Sequence, residues 1–279
     1  MSAFSTSPAD VEARLKELNQ ERLLQHLHEL GDAGRRELMG QLCSLDWKAI
    51  VPLLQTVKAD APVPAHEALS PVVPYVFSAA GAKEWAEGEA FIKAQKLALF
   101  TVAGGSGSRL GYEGPKGCFG VTPVRGASLF QVFAEKILYA QKKYGVTFPW
   151  VLMTSPQNDK ETKAFFEKNN FFGLKKEQMF FFEQGEMPAV DAQTGDLLLE
   201  SAHGLALSPD GHGGSFKGLQ ASGALEWMAK QGSEIISYFQ VDNPLVKPVD
   251  PLFVGAHILS GSEFSSKATP KKNAEEKVG

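Results

Sequence analysis

Cysteine is scarce in this chain. Of 279 residues only Cys43 and Cys118 carry thiols. They form no CxxC pair and cannot build a disulfide framework, which excludes the small stapled scaffolds of secreted proteins. One bridge between them stays open, with reduced thiols in a cytoplasm the simpler reading. Positive charge is not in excess. Lys and Arg number 28 against 32 Asp and Glu, a formal charge of −4. No global basic field for nucleic acid exists, although a local basic site can sit inside an acidic protein. No apolar run approaches the length that crosses a bilayer. The N-terminus, MSAFSTSPAD, lacks the apolar core of a signal peptide. The expectation is a cytoplasmic protein with neither membrane nor nucleic acid as partner. Its 43% hydrophobic and 22% charged residues are ordinary for a soluble globular chain. The length suits one large α/β core, or a core with a small appendage.

The first part of the chain reads as helical, over 8–58. Ser7 suits a cap, Pro8 the first helical position and Asp10 the positive end of the dipole. Val11, Leu15, Leu18, Leu24, Leu27 and Leu30 then recur at helical spacing as one apolar stripe, which Gly31 ends. Asp46 is placed to cap another helix carrying Trp47, Ile50, Leu53 and Leu54. Residues 59–76 hold Pro62, Pro64, Pro71 and Pro74, a density that predicts an extended connection. A weaker helix is expected at about 82–95. Residues 1–95 therefore read as a helical appendage, and 96–279 as a second domain.

The texture changes at Leu97. LALFTVA (97–103) is a continuous apolar run stopped by glycines, the pattern of a strand covered on both faces. Strands follow at 150–154, 179–182 and 234–241, with helices at 128–143, 158–169, 215–230 and 251–260. Strands alternating with helices imply a mostly parallel α/β sheet, whose ligands sit beyond the carboxyl ends of its strands.

The segment AGGSGSRLGYEGPKG (103–117) follows the first of these strands directly. Glycines let backbone N–H groups approach a ligand closely and form an anion nest. Arg109 and Lys116 add full positive charges, the combination a triphosphate needs. Neither familiar phosphate loop fits. Gly105 and Gly107 begin G-x-G-x-x-G, but Leu110 stands at its third glycine. Lys116 follows Pro115 and precedes Gly117, unlike the P-loop lysine. A bare glycine cluster also reads as a structural turn, and the preceding strand with two cations counts against that. Asp242 ends the apolar strand IISYFQV, where a carboxylate emerges at the ligand edge and suits a divalent ion. The alternative is a simple turn with Asn243 and Pro244. Cys118 adjoins the cationic loop, where a thiol pKa can fall; a small packing residue is the more frequent case.

The loop AGGSGSRLG…PKG resembles that of the eukaryotic-type UDP-N-acetylglucosamine pyrophosphorylases and related UDP-sugar pyrophosphorylases. The likeness continues through FPWVLMTS (148–155), FFGLKKEQMFFFEQGEMPAV (171–190), LSPDGHGGSFKGL (207–219) and FQVDNPLVKPVDP (239–251). The resemblance implies a Rossmann-like, doubly wound nucleotidyltransferase sheet and the reaction of UTP with a sugar 1-phosphate, with Mg²⁺. By position it implies that Val102, Ala103, Gly104 and Gly105 line the uridine and phosphates. It further implies that Lys116 contacts phosphate, that Gln184 and Gly211 read uracil, and that Asp242 lies at the metal. An amide such as that of Gln184 matches the donor–acceptor edge of uracil. Read without the family, Gln184 is an exposed loop residue, and DGHGG also reads as a plain glycine loop. His212 stands where the family's UDP-N-acetylglucosamine enzymes usually carry a sugar-side asparagine, which leaves the sugar open. The loop also reads GSRLG where the family usually reads GTRLG, keeping the hydroxyl.

Three functions follow as expectations. The first is a uridylyltransferase forming UDP-N-acetylglucosamine, with Arg109 and Lys116 offsetting the repulsion of two polyanions. The second is a broader enzyme using glucose or galactose 1-phosphate. The third is a non-catalytic UTP-binding protein. The final stretch, SSKATPKKNAEEKVG, resembles a family segment that leads into a further strand, so a C-terminally truncated form with poor turnover is expected. The oligomeric state is not legible.

Overall fold

The computed structural model describes residues 6–57, 73–273 and 275–276. Its main sheet has four strands, all parallel: β1 (Leu97–Val102), β2 (Trp150–Thr154), β3 (Met179–Glu183) and β8 (Ile235–Gln240). β1 is covered on both faces, which explains its unbroken apolar run. Leu97 and Leu99 join one core, while Ala98 and Phe100 join another on the opposite side. The first core is closed by α6 (Leu129–Tyr144) and α7 (Asp159–Lys168). The Ser128 hydroxyl caps α6 by accepting from Gln131 N–H, and Gly145 ends the helix with φ 70°. Phe166 of α7 lies 4.8 Å from Phe130 and 5.7 Å from Trp150, ring to ring. Each such buried aromatic contributes about 1.5–3 kcal/mol. The second core is closed by α8 (Gly214–Ala221) and α9 (Ala224–Lys230) through Leu219, Ala224 and Met228.

The strand order is β3-β2-β1-β8. The chain steps from β1 outward through β2 to β3, then returns to the other side of β1. The order therefore reverses between β1 and β8, and the loops leaving those two strands flank the crevice where such sheets bind ligands.

Two expected helices are broken. The stripe over 8–30 is divided into α1 (Pro8–Glu17) and α2 (Glu21–Glu29) by Asn19, with φ 56°. Asparagine tolerates this left-handed conformation better than most residues. Apolar spacing survives the break because both helices turn their stripes into one core, through Val11, Leu15, Leu23 and Leu27. α3 (Asp32–Ser44) and α4 (Trp47–Val57) complete this cluster. Asp46 Oδ1 accepts from Ala49 N–H at the start of α4, as a cap does. The helix expected over 215–230 is interrupted at Gly223, φ 80°, which separates α8 from α9. Of the extended connection expected over 59–76, residues 58–72 with Pro62, Pro64 and Pro71 lie outside the described residues; 73–78 has no regular structure.

Between β3 and α8 the chain forms two small antiparallel ribbons. β4 (Glu186–Pro188) pairs with β7 (Leu207–Pro209), and β5 (Leu199–Ser201) with β6 (Gly204–Leu205). Leu197 and Leu205 enter the core of α1–α4. The α5 helix (Ala82–Lys93) instead crosses α10 (Pro251–Ser260). The crossing depends on two glycines: a Cβ on Gly88 falls 1.9 Å from Pro251 O, and one on Gly255 falls 1.7 Å from Glu84 O.

Candidate functional site

The loop after β1 is bent back on itself. Gly107 N–H donates to Gly114 O, and Lys116 N–H donates to Gly105 O. Ala103 is buried and its N–H is spent on Met153 O, while Val102 O accepts from Val241 N–H. The next three amides, of Gly104, Gly105 and Ser106, make no hydrogen bond among the described residues. Gly105 and Ser106 are exposed, so this run of N–H groups is open to an anion. Lys116 lies beside it: a Cβ on Gly105 meets Lys116 Nζ at 3.7 Å. The ammonium reaches across the sheet reversal to Asp242, with Nζ 3.0 Å from Oδ2. Arg109 sits in an exposed turn, Ser108–Leu110, and forms no ion pair with another described residue.

Gln184 follows β3 directly. Its N–H donates to Thr154 O, and its buried side chain lies against Gly104, where any Cβ falls 2.9 Å from the amide. The phosphate loop and the expected base-reading residue are therefore neighbours, and a side chain at 104 would have to move the Gln184 amide. Gly211 has φ 69°, a conformation glycine adopts without strain. Asp210 N–H donates to Gly185 O, and β4 pairs with β7, so the Gln184 and Gly211 segments form one unit. The exposed His212 hydrogen-bonds through Nδ1 to the Tyr238 hydroxyl on β8. Burial pushes the Tyr238 phenol above its ordinary range.

The model of the UTP--glucose-1-phosphate uridylyltransferase family matches residues 54–279. The chain belongs to that family. It is 38% identical to the UDP-N-acetylglucosamine pyrophosphorylase of Saccharomyces cerevisiae over 70% of this chain and 42% of that one. It is 33% identical to UDP-N-acetylglucosamine diphosphorylase 2 of Arabidopsis thaliana over 95% of this chain and 56% of that one. Among solved structures, the Trypanosoma brucei uridine diphosphate N-acetylglucosamine pyrophosphorylase in complex with inhibitor superposes with a TM-score of 0.78. That match has 30% identity and covers 99% of this chain and 59% of that one. The chain spans about half the length of the curated relatives it matches.

Within this family member, the structure adds residues that sequence reading passed over. Asn158 Nδ2 donates to Ala103 O and Gly105 O, at 3.1 and 3.4 Å. Asp210 packs against both Gly185 and Gly214, with Oδ1 buried and unpartnered among the described residues. Burial raises its carboxyl above the usual carboxylate range. Asp210 sits within the DGHGG segment without having been singled out, and only the fold brings Asn158 to the loop. Cys118 is the packing residue that the sequence reading preferred. Burial, aided by the nearby Glu161 charge, pushes its thiol up to about 12 rather than down. Both cysteines are free thiols, and Cys118 packs in the sheet core. Among the described residues no helix is long and apolar enough to cross a membrane.

Proposed function

We propose that the protein joins UTP to a sugar 1-phosphate, forming a UDP-sugar and pyrophosphate. The observation that carries this reading is the open run of amides at Gly104–Ser106 beside the Lys116–Asp242 pair, at the point where strand order reverses. In the proposed step an oxygen of the sugar phosphate attacks the α-phosphorus of UTP. A new P–O bond forms, the bond from Pα to the bridging oxygen breaks, and pyrophosphate departs with the electron pair. Such transfers depend on positioning and charge neutralisation rather than on a protein nucleophile, and the protonated Cys118 fits that absence. Gly104–Ser106 N–H groups and Lys116 hold the phosphates, with Arg109 supplying further positive charge. Gln184 and the Gly211 segment hold uracil.

Mg²⁺ is the cofactor we propose. No group of three or more ligating side chains occurs among the described residues. Asp242, 46% exposed, offers a single carboxylate, which suits an ion that takes one or two carboxylates and completes its shell with phosphate and water. When bound, the ion neutralises phosphate charge.

The relatives' names support N-acetylglucosamine 1-phosphate as the sugar substrate. His212 supports a second reading, with glucose or galactose 1-phosphate also accepted. Full-length protein incubated with UTP and a panel of sugar 1-phosphates, with pyrophosphate release as the readout, tests both. Release with N-acetylglucosamine 1-phosphate and UTP, and little with ATP, is expected; equal rates with ATP defeat the uracil assignment. His212→Asn is expected to shift the ratio of rates between N-acetylglucosamine and glucose 1-phosphates. An unchanged ratio places sugar selection elsewhere.

A further inference from the structure

Asn158 immediately precedes α7, at the position where an asparagine ordinarily caps the helix with its side chain. It does not do so here: no side-chain cap bond forms at this helix start. Its amide is committed elsewhere. Oδ1 accepts from Ser155 N–H at 2.9 Å, and Nδ2 donates to the carbonyls of Ala103 and Gly105. The residue is only 6% exposed, and its bonds to Ser155 and Ala103 are buried. Turning two alternate carbonyls toward one amide fixes the peptide planes that carry the Gly104 and Ser106 N–H groups. It also keeps those carbonyl dipoles from facing the anion that the neighbouring N–H groups would receive.

The same turn reaches the other half of the site. Thr154 O accepts from Gln184 N–H at 2.8 Å, and Gln157 Nε2 donates to Glu186 Oε1 at 2.9 Å. Residues 154–158 thus lie between the phosphate loop and the segment that follows β3, and bond to both. We infer that Asn158 is a positioning residue that aims the Gly104–Ser106 amides at the nucleotide phosphates, with the 154–158 turn holding phosphate loop and base segment in fixed relation. It rests on the proposed UTP site and concerns what orients that site, not what touches the ligand.

The test measures binding of UTP, inorganic pyrophosphate and uridine by calorimetry or ligand-observed NMR. Wild type is compared with Asn158→Ala and Asn158→Asp. The aspartate variant keeps the acceptor for Ser155 N–H but replaces the amide donor with a charge facing two carbonyls. UTP and pyrophosphate are expected to bind about tenfold more weakly to Asn158→Ala, the scale of lost hydrogen bonds, and more weakly still to Asn158→Asp. Uridine affinity is expected to hold. Unchanged UTP affinity in a variant with a wild-type unfolding temperature overturns the inference, and so does an equal loss for UTP and uridine, which marks general loosening. Should Asn158→Asp not fold, Asn158→Ser, able to donate to only one of the two carbonyls, is expected to fall between wild type and alanine. A wild-type protein that binds no UTP defeats the proposed site itself, which separates that failure from failure of Asn158.

Discussion

Lys116 and Asp242 meet at 3.0 Å, but their side chains are 22% and 46% exposed. A pair that open to water contributes about 0–1 kcal/mol. In the proposed site, a triphosphate would therefore separate Lys116 from Asp242 at little cost. Lys116→Ala in the full-length enzyme is expected to lower turnover by roughly 10²–10³, the usual effect of removing one preorganised electrostatic contact. Near wild-type turnover would reject the assignment. At this scale the sequence was legible where chemistry is local. The glycine–cation loop and the carboxylate ending a strand announce themselves by composition. Asn158 does not, because its partners in the phosphate loop are more than fifty positions away and an asparagine before a helix already has an ordinary explanation. For Cys118 the neighbouring cations were visible in sequence and the depth of burial was not, although packing was already the preferred reading.

Among the elements, the crossing of α5 and α10 is the most sensitive to volume. Gly88→Val introduces carbon into a space 1.9 Å from Pro251 O, and about 3 kcal/mol or more of destabilisation is expected. Gly40 is the control. It lies inside α3 with nothing within 4 Å of an added Cβ, so Gly40→Ala should stabilise by about 0.5–1 kcal/mol. Urea unfolding of both variants checks the pair, and similar shifts would contradict the packing description. Glu84 on α5 ties down the segment before the helix. Its carboxylate accepts from Ser78 N–H at 2.8 Å, from the Ser78 hydroxyl and from Tyr75 OH at 3.1 Å. The Ser78 bonds above all hold its pKa at about 2. A depressed carboxyl stabilises the fold above its unfolded pKa and loses that contribution as pH falls toward 2. Glu84→Gln is expected to lower stability at neutral pH and flatten the acid limb of a thermal-unfolding profile; an unaltered acid limb would contradict this. Element types were legible because the apolar periods are long, but the breaks at Asn19 and Gly223 were hidden by spacing that continues across them.

At the scale of the molecule, polar bonds tie the helical core of α1–α4 to the ribbon segment and to α8. Gln20 is 2% exposed; its Nε2 donates to Gly195 O at 3.0 Å and its Oε1 accepts from Leu197 N–H at 2.7 Å. Gln41 accepts from Leu205 N–H, and Lys217 of α8 pairs with Asp46 before α4, which lowers the Asp46 pKa. Gln20→Ala leaves buried backbone groups unpaired, and a loss of about 1–3 kcal/mol is expected. Calorimetric unfolding measures it, and a neutral result would mean that water replaces the amide. None of this was visible beforehand. The small ribbons are two or three residues per strand, too short to leave a period, and their apolar partners lie in the first helices.

That partnership also has a dimension in time. The helices α1–α4 are translated first, yet Leu197 and Leu205, which complete their core, come well after β1 and β2. At ordinary synthesis rates the interval is roughly ten seconds. Throughout it Leu15, Leu27, Leu38 and Leu42, all fully buried at the end, await their covering ribbon. The nascent chain thus carries a half-finished apolar face, and a substitution that weakens the ribbon prolongs that exposure before it ever alters the finished fold.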